Sequence, residues 1–456
     1  MNDPQASQLF EKAPVWQAVL KNAVPAMAAM LMVLVYNLAD TFFIGQTGDP
    51  LQVAAVSLAT PVFLLFMATG TIFGIGGTSV MSRAMGEGRY EYASKVNAFC
   101  FWSCVVVGLL MSGCFLLFMD QILILTGASA DTWEYARQYL TIVSLCGPFV
   151  LISTCFTNTV RAEGKSMTAM GGQLLGNLLN VILDPVFILI FGWNIAGAAI
   201  ATVIDNVAGT LFYLLFFWRH KSALSISLHE VSFQDRIVSS VLVIGIPASL
   251  GSLLMSVSQI IVNAMMSQHG DLAVAAIGVA MKIVMITSMF CIGLGQGIQP
   301  LLGYCAGAGL WDRFHKSIKV SCLFGVTLSV LLTVGCYAAL KQIVLAFLQD
   351  PDAYATALSF SRILLSTSFL FGLFYVLINA LQALGAANAA LIVNLSRQGL
   401  IYIPSLFLMH HIMGMTGLVW AQPAADILST LLVIFLYFRT MKKIRAHKAD
   451  LSCAAL

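Results

Sequence analysis

The chain has 456 residues, long enough for two or three ordinary domains, but 59% of them are hydrophobic and only 9% are charged. Forty-three charged side chains (23 Lys and Arg, 20 Asp and Glu) cannot cover the surface of a soluble globule of this size. That excludes an ordinary soluble enzyme, a nucleic-acid binder and a disordered chain, while a net charge of +3 carries no message about partners. The apolar runs are about 20 residues long, the length that crosses a bilayer as a helix; barrel strands would alternate over about 10. The expected class is an all-α integral membrane protein.

In chain order, the first residues are polar and lack a basic-then-apolar leader, so no cleaved signal peptide is expected. Twelve apolar spans follow, at 15–44, 52–81, 95–119, 136–160, 167–191, 195–218, 237–267, 272–303, 317–340, 355–383, 387–411 and 415–438. Basic residues test that count. Eighteen Lys and Arg fall in the N-terminal segment, in the turns after even-numbered spans and in the C-terminal tail; two, Arg137 and Lys341, fall on the opposite side. This asymmetry predicts twelve spans with both termini cytoplasmic. Nine of the ten cysteines lie in or beside apolar runs without metal-type spacing, and read as small hydrophobes.

The polar stretch 219–236 divides the spans six and six, and the sequence repeats across it. The segment starting VPAMAAM at Val24 matches IPASLGS at Ile246, an offset of 222. VAAVSLATP from Val53, GIGGTSVMSRAMGEG from Gly74 and NTVRAEG from Asn158 all recur at an offset of 221. An even number of spans per half makes the repeats parallel, related by an axis along the membrane normal. The expected units are an N-lobe at 1–218, a cytoplasmic linker at 219–236, a C-lobe at 237–438 and a basic cytoplasmic tail at 439–456.

Four acids fall well inside spans: Asp40, Asp184, Asp205 and Asp426. Ionisable groups at membrane depth are costly, so each is a functional candidate. Asp40 follows Asn37 by one helical turn in span 1, where Pro25 removes a backbone donor and offers a hinge. Gln173, Asn177, Asn180 and Asp184 line one face of span 5, and Pro185 leaves the carbonyl of Val181 without its usual donor. Carboxylate, amide, hydroxyl and loose carbonyl oxygens together suit a hard cation such as Na⁺, whereas a proton needs only the carboxylates. Asp205 lies one turn beyond Thr202 in span 6 and extends this network or supports a helix contact. Asp426 in span 12 has an apolar neighbourhood without an evident partner, which favours a structural role. In the second half, Gln259 and Val262 stand where the first half has Asn37 and Asp40, and Ile401 and Ser405 stand at the positions of Asn180 and Asp184. Lys282, Arg362 and Arg397 are cations inside or at the edges of spans, explained equally by snorkelling, an interior polar contact or a substrate role. Gly70–Gly77 and Gly293–Gly297 read as close helix packing, since they lack the lysine and hydroxyl residue of a phosphate loop.

Pro25 with Tyr36-Asn37-Leu38-Ala39-Asp40, the Gly74–Gly88 turn, Arg161-Ala162-Glu163-Gly164, the Asn180/Asp184-Pro185 pattern and Thr202 make the whole chain resemble the MATE (multidrug and toxic compound extrusion) family, in its MepA-like bacterial branch. The resemblance implies twelve transmembrane helices in two pseudo-symmetric six-helix lobes forming a V. It implies a secondary antiporter of the bacterial inner membrane that exports cationic amphiphilic drugs in exchange for H⁺ or Na⁺, not an enzyme, with no cofactor. It also places a cation-coupling site at Asp40, Asn180, Asp184 and Thr202, with Tyr36, Asn37, Asn177 and Asp205 as neighbours. The expected partners are drugs and the bilayer, not nucleic acid, with a monomeric state. One branch of that family carries acids in the C-lobe; this chain departs from that pattern, so ion coupling is expected in the N-lobe alone. The alternative is a lipid-intermediate flippase of the same superfamily, which needs cations lining its cavity. No nucleotide-binding segment is present, so ATP-driven transport is not expected of this chain.

Overall fold

The structure, a computed structural model, describes residues 8–46, 50–219, 222, 224–234, 236–348 and 350–454. The chain before Gln8, the Lys221 position of the linker and the last two residues of the tail lie outside them. All regular elements among the described residues are helices. The first half contains α1 (Val15–Gly45), α2 (Pro50–Gly86), α3 (Tyr90–Leu117), the short α4 (Met119–Thr126), α5 (Trp133–Leu145), α6 (Gly147–Ala162), α7 (Ser166–Pro185) and α8 (Asn194–Arg219). The second half contains α9 (Ile237–Ser267), α10 (Asp271–Gly307), α11 (Trp311–Phe347), α12 (Pro351–Leu365), α13 (Phe371–Ala383), α14 (Ala387–Leu395), α15 (Tyr402–Met413) and α16 (Met415–Ala454).

Eleven helical stretches are long and apolar enough to cross a membrane, and α5 with α6 makes a twelfth if counted as one bent span. That span was expected as one run, 136–160; it bends by 55° between Leu145 and Gly147. Pro148, at the start of α6, has no N–H to continue the hydrogen-bond ladder across the break. The halves repeat in detail. α1 and α9 are both 31 residues with a proline inside (Pro25 and Pro247), and α2 and α10 are both 37. α7 and α14 each run into a five-residue π-helical turn, Val186–Ile190 and Ser396–Leu400. α1 passes Pro25 without interruption, so the expected hinge is a proline inside a continuous helix.

The halves meet where α10 packs along α1 and α2, and α9 along α2. Glycine makes this approach possible. A Cβ added at Gly76 would run into the carbonyl of Val241, and one at Gly245 into that of Ile72; Gly86 and Gly307 lie against the carbonyls of Tyr304 and Arg83 in the same reciprocal way. Without lipid-excluding hydrophobic force between helices, such backbone-to-backbone contact is the main source of association in a membrane. Polar ties cross the same seam: Ser79 Oγ donates to the carbonyl of Gln382, and Arg161 Nη1 donates to Gln296 Oε1 over 3.0 Å.

At the end of the molecule carrying Arg83, Arg161 and Arg313, the turn Gln8–Lys12 bridges both halves. Phe10 is fully buried, sits against Gly164 of the first half and packs on the ring of Tyr304 at 5.3 Å. Tyr304 donates to Glu11 Oε1 at 2.6 Å, and Arg313 donates to the carbonyls of Leu9, Phe10 and Ala13. The linker lies along the first half, where the backbone carbonyls of Ser225 and Ile226 accept from Asn97 and Trp102.

Helix propensity alone would make Gly→Ala stabilising by up to about 1 kcal/mol. Gly76→Ala is expected instead to cost roughly 1–3 kcal/mol through overpacking against Val241. Gly113→Ala, where nothing lies within 4 Å of an added Cβ, should leave stability unchanged or slightly raised. Thermal unfolding of the two detergent-solubilised variants checks this pair; equal midpoints would refute the close-packing account.

Candidate functional site

Four helices of the first half bring polar side chains to one place. α7 contributes Asn177, Asn180 and Asp184, all buried, on the face that the 4-3-4 spacing predicts. Immediately after Asp184, Pro185 cannot donate and the helix widens into the Val186–Ile190 π-turn, a local irregularity that concentrates at functional positions. α8 brings Thr202 and Asp205, α1 brings Tyr36 and Asp40, and α5 brings Tyr139.

Asn180 ties α7 to α8. Its Nδ2 donates to Asp184 Oδ2 at 2.8 Å, while its Oδ1 accepts the backbone N–H of Thr202 at 3.2 Å. The Thr202 hydroxyl donates to the Ala198 carbonyl at 3.1 Å and lies near both Tyr36 and Tyr139. Asp184 stands within electrostatic range of Asp40 and of Asp205. Asp205 packs its carboxylate directly on the backbone of Gly176, where any Cβ would displace it. Three buried oxygens here accept no hydrogen bond: Asp40 Oδ1, Asp184 Oδ1 and Gln173 Oε1.

The structure brings Asp40, Asn180, Asp184 and Thr202 into one region, with Tyr36, Asn177 and Asp205 beside them. Asn37 is exposed, and its amide donates to the Val33 carbonyl of its own helix at 2.8 Å. Tyr139 is the participant that the sequence did not reveal. It lies on the bent span, whose inward face cannot be told from composition.

In the second half the expectation for Asp426 needs correction. It has a partner: Arg397 Nε donates to Asp426 Oδ1 at 2.9 Å, and both side chains are buried. Gln422 donates to the same oxygen at 3.1 Å, and Thr367 donates to Oδ2 at 3.4 Å. The guanidinium also donates to the Tyr375 hydroxyl at 2.7 Å and lies 4.8–5.2 Å from the ring centres of Phe371, Phe374 and Tyr375. Sequence reading missed the pair because 29 residues and a helix turn-round separate its members. Arg362 is exposed, as snorkelling requires. Ser405 bonds back to the Ile401 carbonyl at 2.7 Å.

A cavity of about 370 Å³ opens beside this pair, lined by Gln259, Met281, Lys282, Met285, Tyr375 and Arg397 among others. A second, of about 150 Å³, shares Met255, Tyr375 and Arg397 with it and extends to Gln296 and Ile75 at the seam between halves. Among the described residues no three His, Cys, Asp or Glu side chains gather closely enough to hold a metal ion between them.

The MatE family pattern matches residues 25–186 and 247–408, two stretches offset by 222 residues. The multidrug export protein MepA of Staphylococcus aureus (strain NCTC 8325 / PS 47) is 30% identical over 446 residues, covering 97% of this chain and 98% of its own. MepA of Staphylococcus haemolyticus (strain JCSC1435) is 30% identical over 447 residues, covering 97% of each. Among solved structures, one described as MATE in complex with MaL6 superposes with a TM-score of 0.92 at 22% identity, covering 97% of this chain and 99% of that one. An outward-facing multidrug resistance MATE family transporter gives 0.91 at 22% identity, with the same coverage.

Breaking a buried ion pair by removing one partner typically costs about 3–5 kcal/mol, whereas replacing both with apolar groups is often neutral. Arg397→Met is therefore expected to lower the unfolding midpoint sharply, and adding Asp426→Leu should restore most of the loss. A double variant less stable than Arg397→Met would show that the two side chains do not act as a pair.

Proposed function

The chain belongs to the MatE family of multidrug exporters, and from that premise we propose that it is an antiporter whose coupling ion, H⁺ or Na⁺, binds among Asp40, Asn180, Asp184 and Thr202. The observation that carries the reading is the pair of buried, unanswered oxygens, Asp40 Oδ1 and Asp184 Oδ1, within one electrostatic neighbourhood. Two carboxylates that share a poorly hydrated pocket cannot both remain charged cheaply, so the pocket takes up a cation. Two cations can serve: the transported ion and the positive group of a drug. Their competition for one neutralisation makes occupancy by either exclusive of the other, which is antiport.

Tyr36, Tyr139, Asn177 and Asp205 border the site in this reading. Asn180 lies between Asp184 and Thr202, where its amide can turn an N–H to a protonation-sharing carboxylate or an oxygen to a sodium ion. The functional units are an N-lobe at 1–218 and a C-lobe at 237–438, joined by the 219–236 linker and ending in the 439–456 tail. By the distribution of Lys and Arg, both termini face the cytoplasm of a bacterial inner membrane. The substrates are cationic amphiphiles, handled by a monomer. The flippase alternative gains one supporting observation, since Lys282 and Arg397 line a cavity of the second half. The acid cluster of the first half still favours ion-coupled export.

Dye uptake into inside-out vesicles, driven separately by a pH gradient and by a Na⁺ gradient, tests the reading and identifies the ion. Asp40→Asn keeps the side chain's shape and should reduce gradient-driven uptake to the undriven rate while dye binding persists; transport at the parental rate would place the coupling site elsewhere. Linkage adds a second requirement. Adding drug to purified protein should release protons or displace sodium, and the drug must weaken ion binding by the same factor as the ion weakens drug binding. Asp40→Asn and Asp184→Asn should be non-additive in ion affinity, because each removes part of one site. Full drug binding without ion release, under conditions where the site is loaded, would sink the mechanism.

A further inference from the structure

The second half holds a cavity whose charge is opposite to that of the coupling acids. The 370 Å³ space between α9, α10, α12, α13, the Ser396–Leu400 turn, α15 and α16 is walled on its apolar side by Met255, Met281, Met285 and Met289. Two cations line it, Lys282 and Arg397, and no carboxylate does. Arg397 is already neutralised, since its guanidinium is bonded to Asp426 and enclosed by three aromatic rings. Lys282 is different. It is exposed on the cavity face of α10, and among the described residues no carboxylate pairs with it; its Nζ instead lies 5.5 Å over the ring of Phe347.

A lysine eleven residues into a membrane helix lies about 16 Å along it, far enough that its position carries a cost unless something answers the charge. An aromatic face answers it only in part. We propose that this cavity is a binding site for an amphiphilic organic anion, with the carboxylate or sulfonate on Lys282 and the apolar body on the methionines. Flexible, polarisable methionine walls fit apolar bodies of varied shape. The volume falls at the lower end of the usual range for small-molecule sites, which suits a ring system or a single chain. The neutralised Arg397 acts as a fixed wall, holding Tyr375 at the inner end by the 2.7 Å bond to its hydroxyl. This site is separate from the coupling acids and does not depend on which ion they bind.

The test uses the full chain in phosphatidylcholine nanodiscs and two fluorescent probes with the same ring system: 1-anilinonaphthalene-8-sulfonate, which carries the anion, and N-phenyl-1-naphthylamine, which lacks it. Binding is titrated against empty nanodiscs. Lys282→Met should weaken sulfonate binding by at least about tenfold, the worth of one charge-assisted contact, while changing binding of the neutral probe by less than about twofold. Lys282→Arg should retain the preference for the sulfonate. Reading the ratio of the two probes removes any general loss of folding. Adding phosphatidylglycerol to the nanodiscs separates the sources of the anion: competition with the sulfonate assigns the site to a lipid headgroup, and unchanged affinity assigns it to free organic anions. If Lys282→Met leaves the sulfonate affinity unchanged, or lowers both probes alike, the proposal is wrong. Gradient-driven dye transport by the same variant is a separate readout, so failure here leaves the coupling site untouched.

Discussion

A charged side chain within a bilayer has no water to meet it, so the protein must supply the partner or leave the charge to something that enters. This fold meets that requirement in two ways on one repeated scaffold. In the second half, Asp426 is surrounded by its own donors, with Arg397, Gln422 and Thr367 all directed at its two oxygens. In the first half, Asn180 answers Oδ2 of Asp184, while Oδ1 of Asp184 and Oδ1 of Asp40 stay open. A fully answered acid is a fixed part of the structure. An incompletely answered one is, on the proposed assignment, where the coupling ion exchanges.

The geometry also links the open acids to the motion that the proposed antiport needs. Asp40 is on α1, and α1 is the helix that packs along α10 of the other half. A change in charge on Asp40 therefore acts on a helix that belongs to both the ion site and the seam. The seam itself is close-packed through Gly76, Gly245, Gly86 and Gly307, which leaves little room for gradual sliding. Packed interfaces of this kind have discrete arrangements rather than a continuum, and a small energetic bias at one end selects between them.

Much of this was legible in the sequence because membrane physics leaves a strong signal. Span length, the side preference of basic residues and an offset of 221–222 residues are each set by the bilayer or by duplication, and all can be read without coordinates. Asp40 and Asp184 stood out as acids inside apolar runs, and their grouping with Asn180 and Thr202 is what the family resemblance implies. What stayed hidden was orientation. In a soluble helix, alternation between polar and apolar residues marks the buried face, but a span apolar all round gives no such marker. Asn37 shares a side of α1 with Asp40 by spacing and still bonds back to its own helix. Tyr139 enters the site through a 55° bend. Tyr437 and Trp218 each precede a basic stretch, yet Tyr437 is buried and Trp218 exposed. The Arg397–Asp426 pair joins two spans whose proximity no local pattern encodes.

The two treatments of charge have a joint consequence for a cationic substrate. On the proposed assignment, loading the first-half acids with protons or sodium removes their negative charge, while the charge of Lys282 in the second half stands unanswered whenever its own cavity is empty. The field acting on a cation inside the molecule then changes sign with ion occupancy: attractive when the acids are bare, repulsive when they are filled. At roughly 10 Å and an effective dielectric constant of about 20, each unit charge contributes about 1.7 kcal/mol. Neutralising one carboxylate thus changes the affinity for a cation by more than about tenfold. That falls within the usual range of couplings between sites, and it requires no contact between ion and drug. A fixed positive charge opposite an exchangeable negative one is therefore enough to turn ion entry into drug release, and the alternation of the halves supplies the direction.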